Sequence, residues 1–227
     1  MSDYGKGAII DPFVYGQAMT QIEPYLKPGL CVIDYGCGNG ELAQWMADAG
    51  CFVMGVEKTY TRQFGQKSCL PPLESGTWDL VICNNVLEHI EDDIGTLSKF
   101  AQMLCAGGRL ILDVPTIYSS VYRLGLAREH DKRVGHLRRY SKAQIIGLVK
   151  AAGFEIERVV WLDSALRDWL IIGPLVIRPL KWLARPFKHP RVRGWFNRLD
   201  ARLAPYLFPA AIYVHARKGS EVRDDKA

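Results

Sequence analysis

In the stretch VIDYGCGNGE (Val32–Glu41), glycines recur at positions 36, 38 and 40 directly behind an apolar run. Glycines spaced in this way let a main chain come very close to a ligand, because no Cβ stands between the backbone and the bound group. Asp34 lies two residues before Gly36, and Glu57 follows 17 residues after Gly40. The dinucleotide pattern is G-x-G-x-x-G, in which helix amides face a pyrophosphate. Here the turn reads G-x-G-x-G with a carboxylate at its mouth. That carboxylate repels a diphosphate and suits an ammonium or sulfonium charge. An acidic side chain at Glu57 can accept both hydroxyls of a ribose, and Asn84 and Asn85 offer polar contacts without charge.

These residues need a scaffold that brings several strand ends to one edge. Leu30–Gly36 reads as a buried strand, and Glu41–Gly50 as a helix with Leu42, Trp45, Met46 and Ala49 on one face. Phe52–Lys58 and Trp78–Asn85 read as further strands. Ile90–Cys105 reads as a helix whose acidic residues crowd its first turn, where the helix dipole favours them. AGGRLILDVP then predicts a turn and a strand. Ser141–Gly153 is a helix with a serine N-cap and a glycine stop, FEIERVVWLD a strand, and Ala210–Lys218 a last strand. Alternation of this kind implies an α/β, doubly wound, mostly parallel sheet covered on both faces. In such a sheet ligands bind beyond the carboxyl ends of the strands, where the glycine turn falls.

A ligand with a ribose, a cation and no phosphates is S-adenosylmethionine. On these residues the sequence resembles the class I S-adenosylmethionine-dependent methyltransferases. VIDYGCGNG is similar to their first motif, GVEK to the acidic end of their second strand, WDLVICNNVLEHI to their fourth-strand motif and AGGRLILDVPT to their fifth. The resemblance implies a Rossmann-like sheet with an antiparallel last strand. It implies a cofactor held by Asp34, Gly36, Cys37, Gly38, Gly40, Glu57, Lys58, Asn84, Asn85 and Val86. One departure stands out: only about 20 residues separate Glu57 from Trp78, so the third strand is expected to be short or absent. The family's polar contact to the adenine amine has no clear counterpart, Ser68 or Cys69 being the nearest candidates.

Transfer from a sulfonium asks mainly for an acceptor held in line and for exclusion of water, with a general base where the acceptor is a hydroxyl. Ala127–Ser141, AREHDKRVGHLRRYS, follows the fifth strand and resembles a G-H-x-R-R-Y segment of a bacterial subgroup of these enzymes. His136, Tyr140, His130 and Asp131 are the candidate catalytic residues, and Arg138 and Arg139 the candidate substrate anchors. The alternative is a basic loop with Tyr140 packed beneath it. Some quinone O-methyltransferases of this fold are thought to place a divalent ion with E-x-x-E-H. Here the first position is Asn85, so no metal is expected, and His89 is expected to cap or pack behind the cofactor pocket.

A single domain over residues 1–227 is expected, with an insertion over 164–209 and a loose tail over 219–227. Arg167–Arg202 holds nine Lys or Arg and two Asp, a local charge of +7 in a chain whose net charge is +5. Trp182, Phe187, Trp195 and Phe196 interleave with those charges, and Pro174, Pro179, Pro186 and Pro190 predict short broken helices. Such a segment fits a lid, or an interfacial surface on an anionic membrane and a lipid-linked acceptor. The apolar content argues against an RNA-tracking strip, although an RNA methyltransferase and a non-catalytic cofactor-binding protein remain alternatives. Six scattered cysteines without a C-x-x-C pair read as reduced core residues, and the N-terminus carries no secretory pattern. A cytoplasmic protein, peripheral to the membrane at most, is the expectation.

Overall fold

The computed structural model describes residues 16–65, 70–171 and 189–219. Seven strands form one sheet: β1 (Cys31–Tyr35), β2 (Phe52–Val56), β3 (Thr61–Phe64), β4 (Trp78–Asn84), β5 (Leu104–Pro115), β6 (Phe154–Leu162) and β7 (Ala211–Lys218), in the order β3-β2-β1-β4-β5-β7-β6. β2, β1, β4 and β5 run parallel, and β7 pairs antiparallel with both β5 and β6. The helices are α1 (Gly16–Ile22), α2 (Glu41–Asp48), α3 (Asp93–Met103), α4 (Ser120–Arg123), α5 (Arg128–Val134), α6 (Lys142–Ala151), α7 (Ala165–Ile171) and α8 (Pro190–Leu203).

Both faces of the central strands are buried, as a parallel sheet requires. Ile33, Val81 and Leu110 face a core with Trp78, Leu97, Phe100 and Ile145, while Val32, Leu80 and Ile111 face one with Ile22, Leu42 and Met46. The helix ends follow local chemistry. Ser141 and Gln144 form a reciprocal capping box at α6, and the Asp92 carboxylate accepts from the Gly95 amide at 2.9 Å at the start of α3.

The third strand departs from a parallel crossover. Glu57 and Tyr60 exchange backbone hydrogen bonds of 2.8 and 3.3 Å, and β3 folds straight back along β2 as a hairpin. Too little chain is available for a crossover helix, so the short connection forces the antiparallel return. β5 also starts earlier than expected, at Leu104, with a register shift opposite Trp78 to Leu80.

The described parts of the expected insertion are α7 and α8, and α8 opens at Pro190, a position where proline's missing N–H costs nothing. Residues 172–188, with Pro174, Pro179 and Pro186, lie outside the described residues, as do the expected tail from 220 onward and Cys69. The other five cysteines are free thiols. Among the described residues no helix is long and apolar enough to cross a membrane.

A buried charge network fastens α7 and α8 to α1. The Arg167 side chain is 1% exposed and its Nε lies 3.1 Å from Asp200 Oδ2 and 3.2 Å from Asp163 Oδ1. Asp200 also accepts from Gln17 Nε2 at 3.0 Å and from the Ser164 amide at 3.0 Å. Removing one partner of a buried pair strands the other charge. Arg167→Ala should therefore lower unfolding free energy by about 3–5 kcal/mol in urea titrations. Arg109→Ala, which breaks the half-exposed pair with Glu157 at 3.0 Å, should cost under about 1 kcal/mol.

Candidate functional site

The turn after β1 is bound to the end of β2. The Gly36 and Cys37 amides both donate to Val56 O, at 2.7 and 3.2 Å. Gly36, Gly38 and Gly40 all take positive φ, at +79°, +51° and +83°. A Cβ at Gly36 would lie 2.1 Å from the Val86 side chain, and one at Gly40 would lie 2.3 Å from the Phe64 ring. A Cβ at Gly38 would meet nothing within 4 Å. The outer glycines thus let β3 and the end of β4 close on the turn, while the middle one presents bare backbone to a cavity of about 500 Å³ lined by Gly38, Asn39, Glu57, Tyr60 and Arg62.

Glu57 sits at the corner of the β2–β3 hairpin. Its carboxylate accepts from the Gly38 amide at 3.0 Å and from the Lys58 amide at 2.9 Å, which fixes its orientation at the cavity wall. The Lys58 side chain is exposed, so its part in the turn is that amide. The Tyr60 hydroxyl donates to Gly38 O. Tyr60 and Arg62 were not singled out from the sequence, because their place at the cavity depends on the hairpin. Ser68 and Cys69 lie outside the described residues.

Asp34 is not at the mouth. It is 2% exposed beneath the turn, with Oδ2 unpartnered, and burial raises its pKa to about 7 even though the Ala43 amide donates to it. Cys37 is turned inward, its Sγ filling the space where a Cβ at Gly55 would lie 2.8 Å away. Burial, with the charge of Asp34, pushes this thiol up to about 11. At the end of β4, Asn84 Oδ1 accepts from the Tyr213 hydroxyl at 2.8 Å. Asn85 adopts φ +53°, and its amide donates to Asp113 Oδ2 at 2.6 Å. A non-glycine residue held in this left-handed conformation marks a constrained position.

The segment after β5 folds as α4, α5 and a loop that returns to the sheet. Tyr140 N donates to Pro115 O, and Leu137 N donates to Glu88 O at 2.9 Å. Asp131 is the hub of this loop. It takes the Arg139 guanidinium on both oxygens at 2.7 and 2.9 Å, and its Oδ1 lies 3.1 Å from His136 Nδ1 and 3.6 Å from His130 Nδ1. Burial opposes its ionisation, but the nearby His130 ring together with the hydrogen bonds from His136 and Arg139 outweighs burial and holds the carboxyl well below the usual range.

Several expectations for this loop change. Arg139 is 4% exposed and committed to Asp131, and Arg138 pairs with Asp93 at 2.8 Å, so neither guanidinium is free to take an anionic substrate. Tyr140 is 3% exposed in the core with its hydroxyl 3.1 Å from Asp93 Oδ2, and burial pushes its pKa up. It anchors the loop rather than meeting an acceptor. His136 is held by Asp131 through Nδ1, with Nε2 3.6 Å from Glu88 Oε1.

Glu88 and His89 stand on a single 3₁₀ turn, Leu87–His89, that follows Val86. Glu88 is 0% exposed and neither carboxylate oxygen has a hydrogen-bond partner, so burial raises its pKa to about 7. The contacts of His89 are with its neighbour and with the loop after α5: its Nδ1 lies 3.0 Å from Gly135 O and its Nε2 4.0 Å from Glu88 Oε1.

A family model described as a methyltransferase domain matches residues 13–159, more than half of the chain. A ubiquinone biosynthesis O-methyltransferase of Aromatoleum aromaticum is 31% identical over 99 residues, 36% of this chain and 42% of that protein. Its namesake in Idiomarina loihiensis is 26% identical over 180 residues, 67% of this chain and 68% of that protein. The chain therefore spans well under two thirds of the Aromatoleum relative. A solved structure of a SAM-dependent methyltransferase from Archaeoglobus fulgidus superposes with a TM-score of 0.60 at 17% identity, over 92% of this chain and 95% of that one, a likeness of fold.

The position of Asp131 predicts a stability effect with a defined pH window. A carboxyl whose folded pKa is depressed contributes stability that is complete above its unfolded pKa and is lost as pH falls toward the folded value. Asp131→Asn should lower the urea midpoint by a constant amount above about pH 5, and the gap to the unaltered protein should narrow below about pH 4. Urea titrations at a series of pH values measure this gap.

Proposed function

The chain belongs to the class I S-adenosylmethionine-dependent methyltransferases, and from that premise we propose that it transfers the sulfonium methyl group to an oxygen of a small, lipid-linked acceptor. The acceptor oxygen attacks the methyl carbon in line with the S–CH₃ bond. Sulfur keeps the bonding pair and leaves as S-adenosylhomocysteine, and the acceptor's proton passes to a base or to solvent. The chemistry needs alignment and dryness more than a reactive side chain.

The observation that carries this reading is the open face of Gly38 against a cavity whose wall holds the Glu57 carboxylate. A ribose in that cavity places its two hydroxyls against an acceptor-only carboxylate already oriented by two backbone amides. The cofactor's methionine end then runs over Gly36 toward Asn84, Asn85 and Val86. Oxygen as the acceptor atom is supported by the O-methyltransferase names of the relatives. A lipid-linked acceptor is supported by the surface around α8. Trp195 is 58% exposed and Tyr206 83%, beside exposed Arg191, Arg198 and Arg202. Aromatic and basic groups arranged together suit the surface of an anionic membrane.

Hydrogen bonds to a charged acceptor contribute roughly 1.5–3 kcal/mol each, so Glu57→Ala should weaken binding of S-adenosylmethionine at least tenfold by calorimetry. Unchanged affinity, or a preference for a dinucleotide, would contradict the assignment. Incubation of the pure protein with methyl-labelled cofactor and fractionated cell extract should place label in the lipid fraction, whereas label in RNA would favour the RNA reading. Flotation on anionic liposomes should drop when Arg191, Arg198 and Arg202 become Gln. Equal flotation would leave α8 as part of a lid over a water-soluble acceptor.

A further inference from the structure

Glu88, His89 and His136 each direct a ligand atom into one space, with all three atoms within 4.8 Å of one another. Both imidazole Nε2 atoms face the same oxygen, Glu88 Oε1, from 3.6 Å for His136 and 4.0 Å for His89. Ligand atoms that share a cation at about 2.1 Å stand roughly 3.4 Å apart, so closing on an ion asks for shifts well under an ångström for the two nearer pairs. The carboxylate is fully buried and both of its oxygens lack a hydrogen-bond partner, an arrangement that leaves a buried acceptor uncompensated.

The surroundings are also arranged for ligation. His136 Nδ1 lies 3.1 Å from Asp131 Oδ1, and His89 Nδ1 lies 3.0 Å from Gly135 O. An N–H at each Nδ1 satisfies those acceptors and leaves the Nε2 lone pairs pointing at Glu88. Metal-bound histidines are held in this way, by a carboxylate or a backbone carbonyl on the far ring nitrogen. The two imidazoles meet edge to face at 4.8 Å. The Arg139 guanidinium, whose charge is felt at Glu88, is neutralised by its two bonds to Asp131.

We propose that Glu88, His89 and His136 bind a divalent first-row transition cation of the zinc, cobalt or iron(II) class. Two imidazoles and one carboxylate suit these ions, whereas magnesium and calcium prefer oxygen throughout. The ligand set is not the E-x-x-E-H pattern. Asn85, at the first position of that pattern, turns its amide to Asp113, and the third ligand comes instead from the loop after α5. Three protein ligands leave positions open on the ion. Val86, the residue before the Leu87–His89 turn, packs on Gly36, so the ion lies next to the cofactor cleft. Resting on the methyl-transfer reading, an acceptor hydroxyl bound at an open position would release its proton to solvent more readily, and its oxygen would be held beside the methyl group.

Cobalt(II) is the probe, because its visible spectrum reports nitrogen and oxygen ligation without any turnover. The purified chelator-treated protein should bind one equivalent with d–d absorption, and zinc(II) should displace it. Glu88→Gln, His136→Ala and His89→Ala should each weaken cobalt binding at least tenfold, and Asp131→Asn about tenfold through its hold on His136. Affinity for S-adenosylhomocysteine, measured on the same samples, should stay within a factor of two, which shows that each variant is folded and separates this test from that of the methyl-transfer reading. His89, the most exposed ligand, decides the matter where a buried variant does not fold. Absence of one-to-one binding, or equal binding by the His89→Ala protein, overturns the site, and displacement of cobalt by equimolar magnesium overturns the class of ion.

Discussion

One carbonyl oxygen, that of Val56, receives two amides of the turn that follows β1, those of Gly36 and Cys37. This pair of hydrogen bonds between neighbouring parallel strands sets where everything else at the cleft can be. It requires the sharp positive-φ path through Gly36, Gly38 and Gly40, and that path in turn admits Val86 from one side and Phe64 from the other. Glu57 comes next after the shared carbonyl and is thereby delivered to Gly38. The hairpin return of β3 then supplies Tyr60 and Arg62 to the same cavity. A strand connection too short for a crossover helix thus becomes part of the cavity wall rather than a defect in the sheet.

The other side of the cleft depends on Asp131. With the carboxyl ionised, one residue orients His136, draws in His130 and neutralises Arg139, while Tyr140 and Arg138 tie the loop to Asp93. The paired arginines are therefore structural cations, and the buried Glu88 is left with neither carboxylate oxygen hydrogen-bonded. Buried polar atoms without partners are scarce in folded proteins. They concentrate here along the carboxyl ends of the strands, at Asp34, Glu88 and Asp113, where a ligand is to be accommodated.

Much of this was legible in the residues themselves. Apolar runs and helical spacing located the parallel strands and the helices that cover them, because burial on both faces leaves a plain signature in Val, Ile and Leu. Ser141 was readable as an N-cap, since that chemistry is local. β3 was not readable as a hairpin strand, because Thr61, Arg62 and Gln63 are exposed and carry no apolar alternation. The fate of Arg138 was hidden for another reason. Its partner Asp93 lies 45 residues away, and only the folded chain brings them together. A similar distance in sequence conceals the meeting of Glu88 and His89 with His136, whose ligand-type atoms only the folded chain brings within 4.8 Å of one another.

The central claim is that the turn and Glu57 form the seat of a ribose. Competition calorimetry on the unaltered protein, with S-adenosylhomocysteine and with its analogue lacking both ribose hydroxyls, tests it most directly. Two hydrogen bonds to a carboxylate contribute roughly 1.5–3 kcal/mol each, so the account predicts that the analogue binds at least tenfold more weakly. Equal affinity for the two compounds would contradict it.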